Sequence, residues 1–279
     1  MANRFEKFYS NIRPQMAVCW NDPRAMPQRA LTAVVALLFA ARNAVRRVTL
    51  RLVQAAVQAL FRAYLRAYHG FSVRIEDHVP ERGAFLALTS HFSILDTIAL
   101  MAADPFKPLT VAVVKESLMD APVIGGVLRA WGMIPVSRRR RDVAALREVL
   151  EVWGQERGVC IAAQGMRSRS GRLGPMNRVL VRLAVHAARR GVPVFPVVEI
   201  GTFEALPPGR WFPARHPISV VISNPLDLMR WSGDEAEEAD LEALASLIQS
   251  RIAGLLPPER RPLPGTPALA ERESRTAPA

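Results

Sequence analysis

The sequence predicts an α/β domain with a mixed, largely parallel sheet flanked by helices, preceded by an N-terminal amphipathic helical segment. From residue 71 onward, short apolar runs of strand length alternate with longer runs of helical period, which is typical of a parallel sheet with crossover helices. Before that point, polar residues recur every three or four positions in an apolar background. We therefore divide the chain into a flexible arm (1–29), a helical segment (30–69), the α/β domain (70–256) and a disordered proline-rich tail (257–279).

The helical segment begins with twelve apolar residues, ALTAVVALLFAA, at positions 30–41. This run is too short to span a hydrocarbon core, which needs about 20 residues. A polar stripe follows at Arg47, Arg51, Gln54, Gln58, Arg62 and Arg66. A broad apolar face edged by arginine favours a helix lying in a lipid interface, so we expect membrane association. Packing on the domain core is the alternative. A tilted span over 30–53 is disfavoured, because arginines would have to enter the bilayer.

The elements of the domain follow from apolar runs bounded by Gly, Pro or polar residues. Runs of strand length lie at 71–76, 83–88, 109–114, 133–136, 158–163, 192–200 and 218–223. Runs of helical period lie at 94–103, 123–131, 143–155, 179–190 and 235–255. The tail from Pro257 has six prolines in 23 residues and little apolar sequence, so we expect it to be disordered.

The composition limits the class of partner. A formal charge of +12, from 37 basic and 25 acidic residues, predicts an anionic partner. Nucleic acid is disfavoured, because the basic residues do not fall in a recognised binding module. Cys19 and Cys160 lie far apart, without metal-ligand spacing, so we expect no metal and a reducing cytoplasmic setting.

His91 and Asp96 are the candidate catalytic pair. His91 follows an apolar strand and precedes a helix that starts near Ser93, and open α/β sheets bind ligands at the carboxyl ends of strands. With His91 in the loop and Asp96 one turn into the helix, the carboxylate can reach back to the imidazole. The pair could then act as a general base on the hydroxyl of a substrate. The sequence has no Walker A, G-x-G-x-x-G, H-E-x-x-H or G-x-S-x-G motif.

Several short blocks occur in the order of a known family. Residues 90–96 read SHFSILD, 114–118 VKESL, 132–138 GMIPVSR, 164–171 QGMRSRSG and 192–197 VPVFPV. From about residue 71 to residue 228, the chain resembles the glycerolipid acyltransferase family, whose best-known members are the lysophosphatidic acid acyltransferases. The first block resembles the family's Asn-His-x4-Asp motif, with Ser90 in the place of Asn.

The resemblance implies direct transfer of an acyl group from acyl-CoA or acyl carrier protein to a lysophospholipid, with no cofactor and no acyl-enzyme. His91 would be the base and Asp96 would orient it. The resemblance assigns acceptor or phosphate binding to Arg138, Arg167, Gln164, Gly165 and Ser168, and possible support to Ser90, Ser93 and Lys115. It implies a membrane lipid surface as partner and a peripheral location on the cytoplasmic face of the inner membrane.

The chain departs from the family pattern in the third motif, Phe-Pro-Glu-Gly-Thr-Arg-Ser. Gln164 stands in the place of Glu, Ala162-Ala163 in the place of Phe-Pro, and Met166 in the place of Thr. The loss of a charge leaves the acceptor open, so lyso-ornithine lipid competes with lysophosphatidate. A catalytically silent lipid-binding relative is the other hypothesis that these departures motivate.

Overall fold

The computed structural model describes residues 26–79, 82–106, 110–122, 124–137, 143–231 and 238–270. The chain divides into two compact units, Met1–Val53 and Gln54–Ala279. The first helix, α1 (Met26–His69), begins in the first unit, so residues 26–29 of the expected arm are helical; the rest of that arm lies outside the described residues. Within the described ranges, no helix has both the length and the apolar character that crossing a membrane requires.

The second unit contains a seven-stranded sheet, which confirms the predicted fold class. Its strands are β1 (Ser72–Ile75), β2 (Phe85–Thr89), β3 (Val111–Lys115), β4 (Ile134–Val136), β5 (Gly158–Ala162), β6 (Val194–Ile200) and β7 (Ser219–Ile222). Their order is β1-β7-β6-β2-β5-β3-β4, and every pairing is parallel except the antiparallel β6–β7 pair. Strand β2 is therefore central, with β5 and β6 as its neighbours.

Helices cover both faces of the sheet. They are α2 (Leu95–Ala103), α3 (Ile124–Trp131), α4 (Val143–Gly154), α5 (Arg178–Arg189), the short α6 (Thr202–Ala205) and α7 (Glu238–Leu255). Alternation along β2 separates the two cores, as the period of two in a strand requires. Leu86 and Leu88 pack in a core with residues of α4, α5 and α7, whereas Phe85 and Ala87 pack with residues of α2. The sequence did not predict α6.

The last part of α1, from Gln54 onward, packs on the domain partly through its polar stripe. Gln54 and Gln58 donate hydrogen bonds of 3.1 Å and 2.8 Å to carbonyl groups at the ends of α3 and α2. Arg62 donates at 2.7 Å to Ala102, also in the last turn of α2. Carbonyl groups at a helix C-terminus lack helical partners and favour a positive charge. On the other side of this part of α1, Leu60 is 65% exposed.

Residues 257–270 differ from the expected disorder. Leu269 is buried and pairs with Met176, and Arg260 forms a 2.7 Å ion pair with Glu204. Prolines lack a backbone donor, but the residues between the prolines still form backbone hydrogen bonds with the loop before α5. The proline-rich composition here indicates extended backbone that packs without regular structure. Residues 271–279 lie outside the described residues.

Candidate active site

Most of the predicted site residues lie where two neighbouring parallel strands, β2 and β5, end. Strand β2 ends at Thr89, just before Ser90 and His91. The loop after β5 carries the third block of the sequence, and its Ser168 amide donates a 2.9 Å hydrogen bond to the carbonyl oxygen of His91. Because β2 and β5 are parallel neighbours, their loops emerge at the same edge of the sheet. The order of the sheet therefore brings the first and third blocks together.

His91 and Asp96 form the hydrogen-bonded pair that their spacing predicts. His91 Nδ1 lies 2.9 Å from Asp96 Oδ2, with the aspartate 1% exposed and the histidine 29% exposed. The same carboxylate oxygen accepts bonds from the backbone amides of Phe92 (2.7 Å) and Ser93 (2.8 Å). These two amides hold the carboxylate at the start of α2, where a negative charge is also favoured by the helix dipole.

The hydrogen bonds determine the tautomer of His91. Asp96 Oδ2 receives two backbone donors, so it acts as an acceptor, and His91 Nδ1 must supply the proton of the third bond. The lone pair of the neutral ring then lies on Nε2. In the described part of the chain, no side chain or backbone group hydrogen-bonds that nitrogen. The arrangement can therefore accept a proton from a bound hydroxyl, and a nearby carboxylate would stabilise the resulting imidazolium.

Glu199 is a buried acid beside this pair that the sequence reasoning missed. Ser90 Oγ donates a 2.6 Å bond to Glu199 Oε2, and both residues are at most 1% exposed. Burial, and then the charge of Asp96, hold the pKa of Glu199 well above its usual range, although the bond from Ser90 lowers it. In the described residues, Glu199 Oε1 and Asp96 Oδ1 are buried without a hydrogen-bond partner. The sequence signal for Glu199 is that it is the one acidic residue in the apolar run VFPVVEI, where a charged residue is unusual.

Ser93 connects the start of α2 to the segment after α6. Its hydroxyl donates a 2.7 Å bond to Leu206 O and accepts a 3.1 Å bond from the amide of Leu95. Ser93 is fully buried, and its backbone amide is one of the donors to Asp96. Ser93 therefore fixes the loop of His91 to the segment after α6.

Four of the five predicted acceptor residues, Gln164, Gly165, Arg167 and Ser168, lie in the loop after β5. Gly165 has a φ of +72°, and a Cβ at this position would lie 2.9 Å from the side-chain amide nitrogen of Asn177, so only glycine fits. Gln164 is half-buried, with Oε1 unpartnered among the described residues. Arg167 is exposed and, with Arg169, lines a surface cleft next to residues of the segment after α6.

One predicted residue, Lys115, is not brought to the pair, and a second, Arg138, is not among the described residues. Lys115 is exposed at the end of β3, two strands from β2 and thus roughly 10 Å away across the sheet. Within the described ranges, no hydrogen bond joins Lys115 to the loop of His91. Arg138 lies outside the described residues, so its position relative to His91 stays a prediction.

A cavity runs from the candidate pair into the domain, between β2 and α2. His91 and Asp96 line the cavity, as do Phe85, Ala87 and Thr89, which alternate along one face of β2. These three span about 13 Å at the usual rise of a strand. The cavity is therefore a deep, mostly apolar slot with a base at its mouth.

The fold is that of a solved acyltransferase. A crystal structure of the 1-acyl-sn-glycerophosphate (LPA) acyltransferase PlsC from Thermotoga maritima superposes with a TM-score of 0.59. The two chains are 22% identical, and the match covers 75% of this chain and 82% of that one. At this identity the likeness shows the fold alone.

Sequence comparison finds similarity to acyltransferases. A family model described as Acyltransferase matches residues 70–199 of this chain. A chloroplastic 1-acyl-sn-glycerol-3-phosphate acyltransferase from Brassica napus is 29% identical over 50% of this chain, and the match spans only 40% of that protein. A protein of the same name from Limnanthes douglasii is 24% identical, over 71% of this chain and 68% of its own length.

Proposed function

We propose that this protein is an O-acyltransferase that moves a fatty acyl group from acyl-CoA or acyl carrier protein to the free hydroxyl of a lysophospholipid. The proposed acceptor is 1-acylglycerol-3-phosphate, and the product is then phosphatidate. The observation that carries this proposal is the His91–Asp96 pair at the mouth of a deep apolar cavity. Residues 70–199 match the acyltransferase family, and relatives of that family bear the name of this activity.

In the proposed reaction, His91 Nε2 takes the proton of the acceptor hydroxyl as its oxygen attacks the thioester carbonyl. Asp96 stabilises the imidazolium that forms, as the 2.9 Å bond to Nδ1 allows. The carbon–sulfur bond breaks when the tetrahedral intermediate collapses, and the thiolate receives the proton from the imidazolium. Because the thioester is already activated, the reaction needs no acyl-enzyme and we expect no cofactor.

The acyl chain of the donor is proposed to lie in the cavity. Alanine and cysteine side chains on neighbouring strands leave space there, at Ala87, Ala112 and Cys160. The rings of Phe85, Phe106 and Phe195 lie 4.3 to 6.1 Å apart and are part of the lining. An apolar slot is suited to a flexible alkyl chain, because burying each methylene is worth about 0.8 kcal/mol.

The acceptor headgroup is proposed to bind at the loop after β5. Arg167 is exposed next to the mouth of the site, and a guanidinium can hold a phosphate through two hydrogen bonds. Gly165 and Ser168 shape the same loop, and Arg138 is proposed to join them. The half-buried Gln164, with an unpartnered Oε1, favours lyso-ornithine lipid as a second candidate, because a neutral acceptor oxygen can receive a bond from an amine or amide.

We propose a peripheral position on the cytoplasmic face of the inner membrane, where lysolipid and product reside. In the first unit, Leu37, Val48 and Leu52 are exposed on α1, and in the second unit Leu60 is exposed on the same helix. A helix whose apolar residues remain in contact with solvent suits the interface of a bilayer.

The test is turnover by the purified full-length protein. Acyl-CoA or acyl carrier protein thioesters are offered with lysophosphatidate, lyso-ornithine lipid and other lysolipids, and the acylated product is measured. His91→Ala should abolish activity, whereas His78→Ala, at an exposed histidine near the opposite edge of the sheet, should keep it. Full activity of His91→Ala would refute the mechanism.

The same panel of substrates also distinguishes the alternative functions. Gln164→Glu beside the wild type shows whether the charge missing here directs acceptor choice, with a gain for lysophosphatidate expected. Vesicle binding with no turnover over the whole panel would support a silent lipid-binding relative instead. Salt-sensitive binding to DNA that is stronger than binding to anionic vesicles would revive a nucleic-acid function.

A further inference from the structure

A loop beside the candidate site exposes two large aromatic side chains. It comprises residues 206–213, and we call it the aromatic loop. Trp211 is 89% exposed and Phe212 is 83% exposed. Tryptophan and phenylalanine are usually buried, so two adjacent rings in contact with solvent indicate an interaction surface.

The aromatic loop is held in a defined conformation. The amide of Arg210 donates a 3.2 Å bond to Pro207 O, which closes a β-turn. A proline and then Gly209, with a φ of 91°, occupy the centre of this turn, as in a type II turn. At the base, the amide of Ala214 donates a 2.7 Å bond to Ala205 O. The two rings directly follow the turn, so they are presented by a backbone that loses little freedom on binding.

The loop lies next to the groups proposed for catalysis and acceptor binding. Its first residue, Leu206, accepts the 2.7 Å bond from Ser93, two positions after His91. Pro208 and Gly209 line the surface cleft that Arg167 and Arg169 also line. The aromatic rings therefore belong to the same edge of the sheet as the mouth of the apolar cavity.

The charge around the loop is positive. Arg210 and Arg215 are exposed, and no acidic residue occurs in the sequence between Glu204 and Asp227. The loop after β5 contributes further exposed arginines, and no acidic residue occurs between positions 156 and 199. Aromatic rings flanked by arginine suit the boundary between acyl chains and anionic headgroups.

We propose that the aromatic loop docks on an anionic lipid surface, with Trp211 and Phe212 inserted into its interfacial region and the nearby arginines on its headgroups. This contact is separate from the helical segment at residues 30–69 and would bring the mouth of the cavity onto the bilayer. The choice of lipid over another anionic partner rests on the proposed function. Insertion itself can be measured without any turnover.

The first experiment places an environment-sensitive fluorophore on the loop of the full-length chain. Phe212→Cys is labelled in a Cys19→Ser background. Cys160 is buried, and burial raises the pKa of its thiol, so it should not react. Met229→Cys is the matched control, since Met229 is 79% exposed but follows β7 at the opposite edge of the sheet.

With vesicles that contain anionic phosphatidylglycerol, we expect a blue shift and brighter emission at position 212 and no change at position 229. The response should weaken with salt and with vesicles of phosphatidylcholine alone. An unchanged signal at position 212 while the chain is bound to vesicles would overturn the proposal. A response to acyl carrier protein in the absence of lipid would also overturn it, in favour of a protein partner.

The second experiment uses Trp211→Ser with Phe212→Ser. Loss of two inserted rings should weaken vesicle binding by about 100-fold or more. Activity on lysolipid in vesicles should fall, while kcat on lysolipid in detergent micelles and the thermal midpoint remain as in the wild type. Equal vesicle binding by the double variant would contradict docking by the loop. If no substrate is turned over in any form, the proposed function fails, but the fluorescence result still stands.

Discussion

Replacing Asp96 with asparagine tests whether this carboxylate acts on the imidazole through its charge. Asp96 Oδ2 accepts bonds from His91 Nδ1 and from the backbone amides of Phe92 and Ser93, at 2.7 to 2.9 Å. The carbonyl oxygen of asparagine can accept the same three bonds. The substitution therefore removes the negative charge and leaves the loop in place.

The charge matters most when His91 is protonated, which in the proposed mechanism happens as the acceptor hydroxyl attacks. Opposite unit charges about 4 Å apart interact by about 4 kcal/mol at an effective dielectric constant of about 20. Since about 1.4 kcal/mol corresponds to a factor of ten in rate, kcat should fall about a thousandfold. The KM should change little, because the interaction is made only in the transition state.

Initial rates at varied acyl-CoA and fixed lysophosphatidate in detergent micelles give both constants. Asp77→Asn, at an exposed turn residue, is the matched control and should keep the wild-type kcat. Asp96→Ala should in addition lower stability by about 1–3 kcal/mol for each buried amide it leaves without an acceptor. An Asp96→Asn variant that folds normally and keeps more than a tenth of the wild-type kcat would refute the charge argument.

Three further substitutions test other parts of the domain. Glu199 has a raised pKa in the folded protein, so the stability of the wild type should decline as the pH rises from about 4.3, its unfolded pKa, through the folded value. Glu199→Gln should remove that decline in urea unfolding at several pH values, and parallel pH profiles of the two proteins would contradict this. Arg260→Ala breaks the 2.7 Å ion pair with Glu204 and should cost about 2 kcal/mol in urea unfolding. Arg230→Ala, at a 72% exposed side chain, should change stability by less than about 0.5 kcal/mol; equal losses for both would show that the pair is not structural. Ala87→Leu, which adds carbons to the cavity wall, should reduce kcat/KM for long-chain more than for short-chain acyl donors; a uniform reduction would place the chain elsewhere.

The sheet could be predicted from the sequence because each strand is a short apolar run with a clear boundary. All seven predicted strands are present, and the pair at His91 has the geometry that a loop-then-helix placement predicts. The packing of residues 257–270 could not be predicted, because its contacts join segments far apart in sequence; they include backbone bonds, an ion pair and the buried Leu269. Composition reports how much apolar surface a segment can bury, and carries no information on such long-range pairings.

The role of Glu199 could not be predicted from the sequence for a different reason. The strand itself was predicted, but a strand pattern does not reveal which neighbour a single polar side chain meets. The hydroxyl of Ser90 is the group that bonds Glu199 across the β2–β6 pairing. Each residue is unremarkable alone, and only the order of the sheet makes them adjacent.

For the helical segment, the sequence likewise could not predict which side of the helix packs on the domain. Its periodicity indicated one polar and one apolar face, but a period cannot say which face the domain covers. From Gln54 onward, the glutamines and Arg62 bond to the carbonyl ends of α2 and α3, while Leu60 remains exposed. Carbonyl groups at the end of a helix lack helical partners, so they accept hydrogen bonds from the polar side chains of α1. This arrangement leaves apolar side chains of α1 at the surface. An apolar side of the helix that stays exposed suits the lipid interface proposed above. The packing therefore favours a lipid interface on residues different from those of the aromatic loop, and a variant in each region would separate their contributions to vesicle binding.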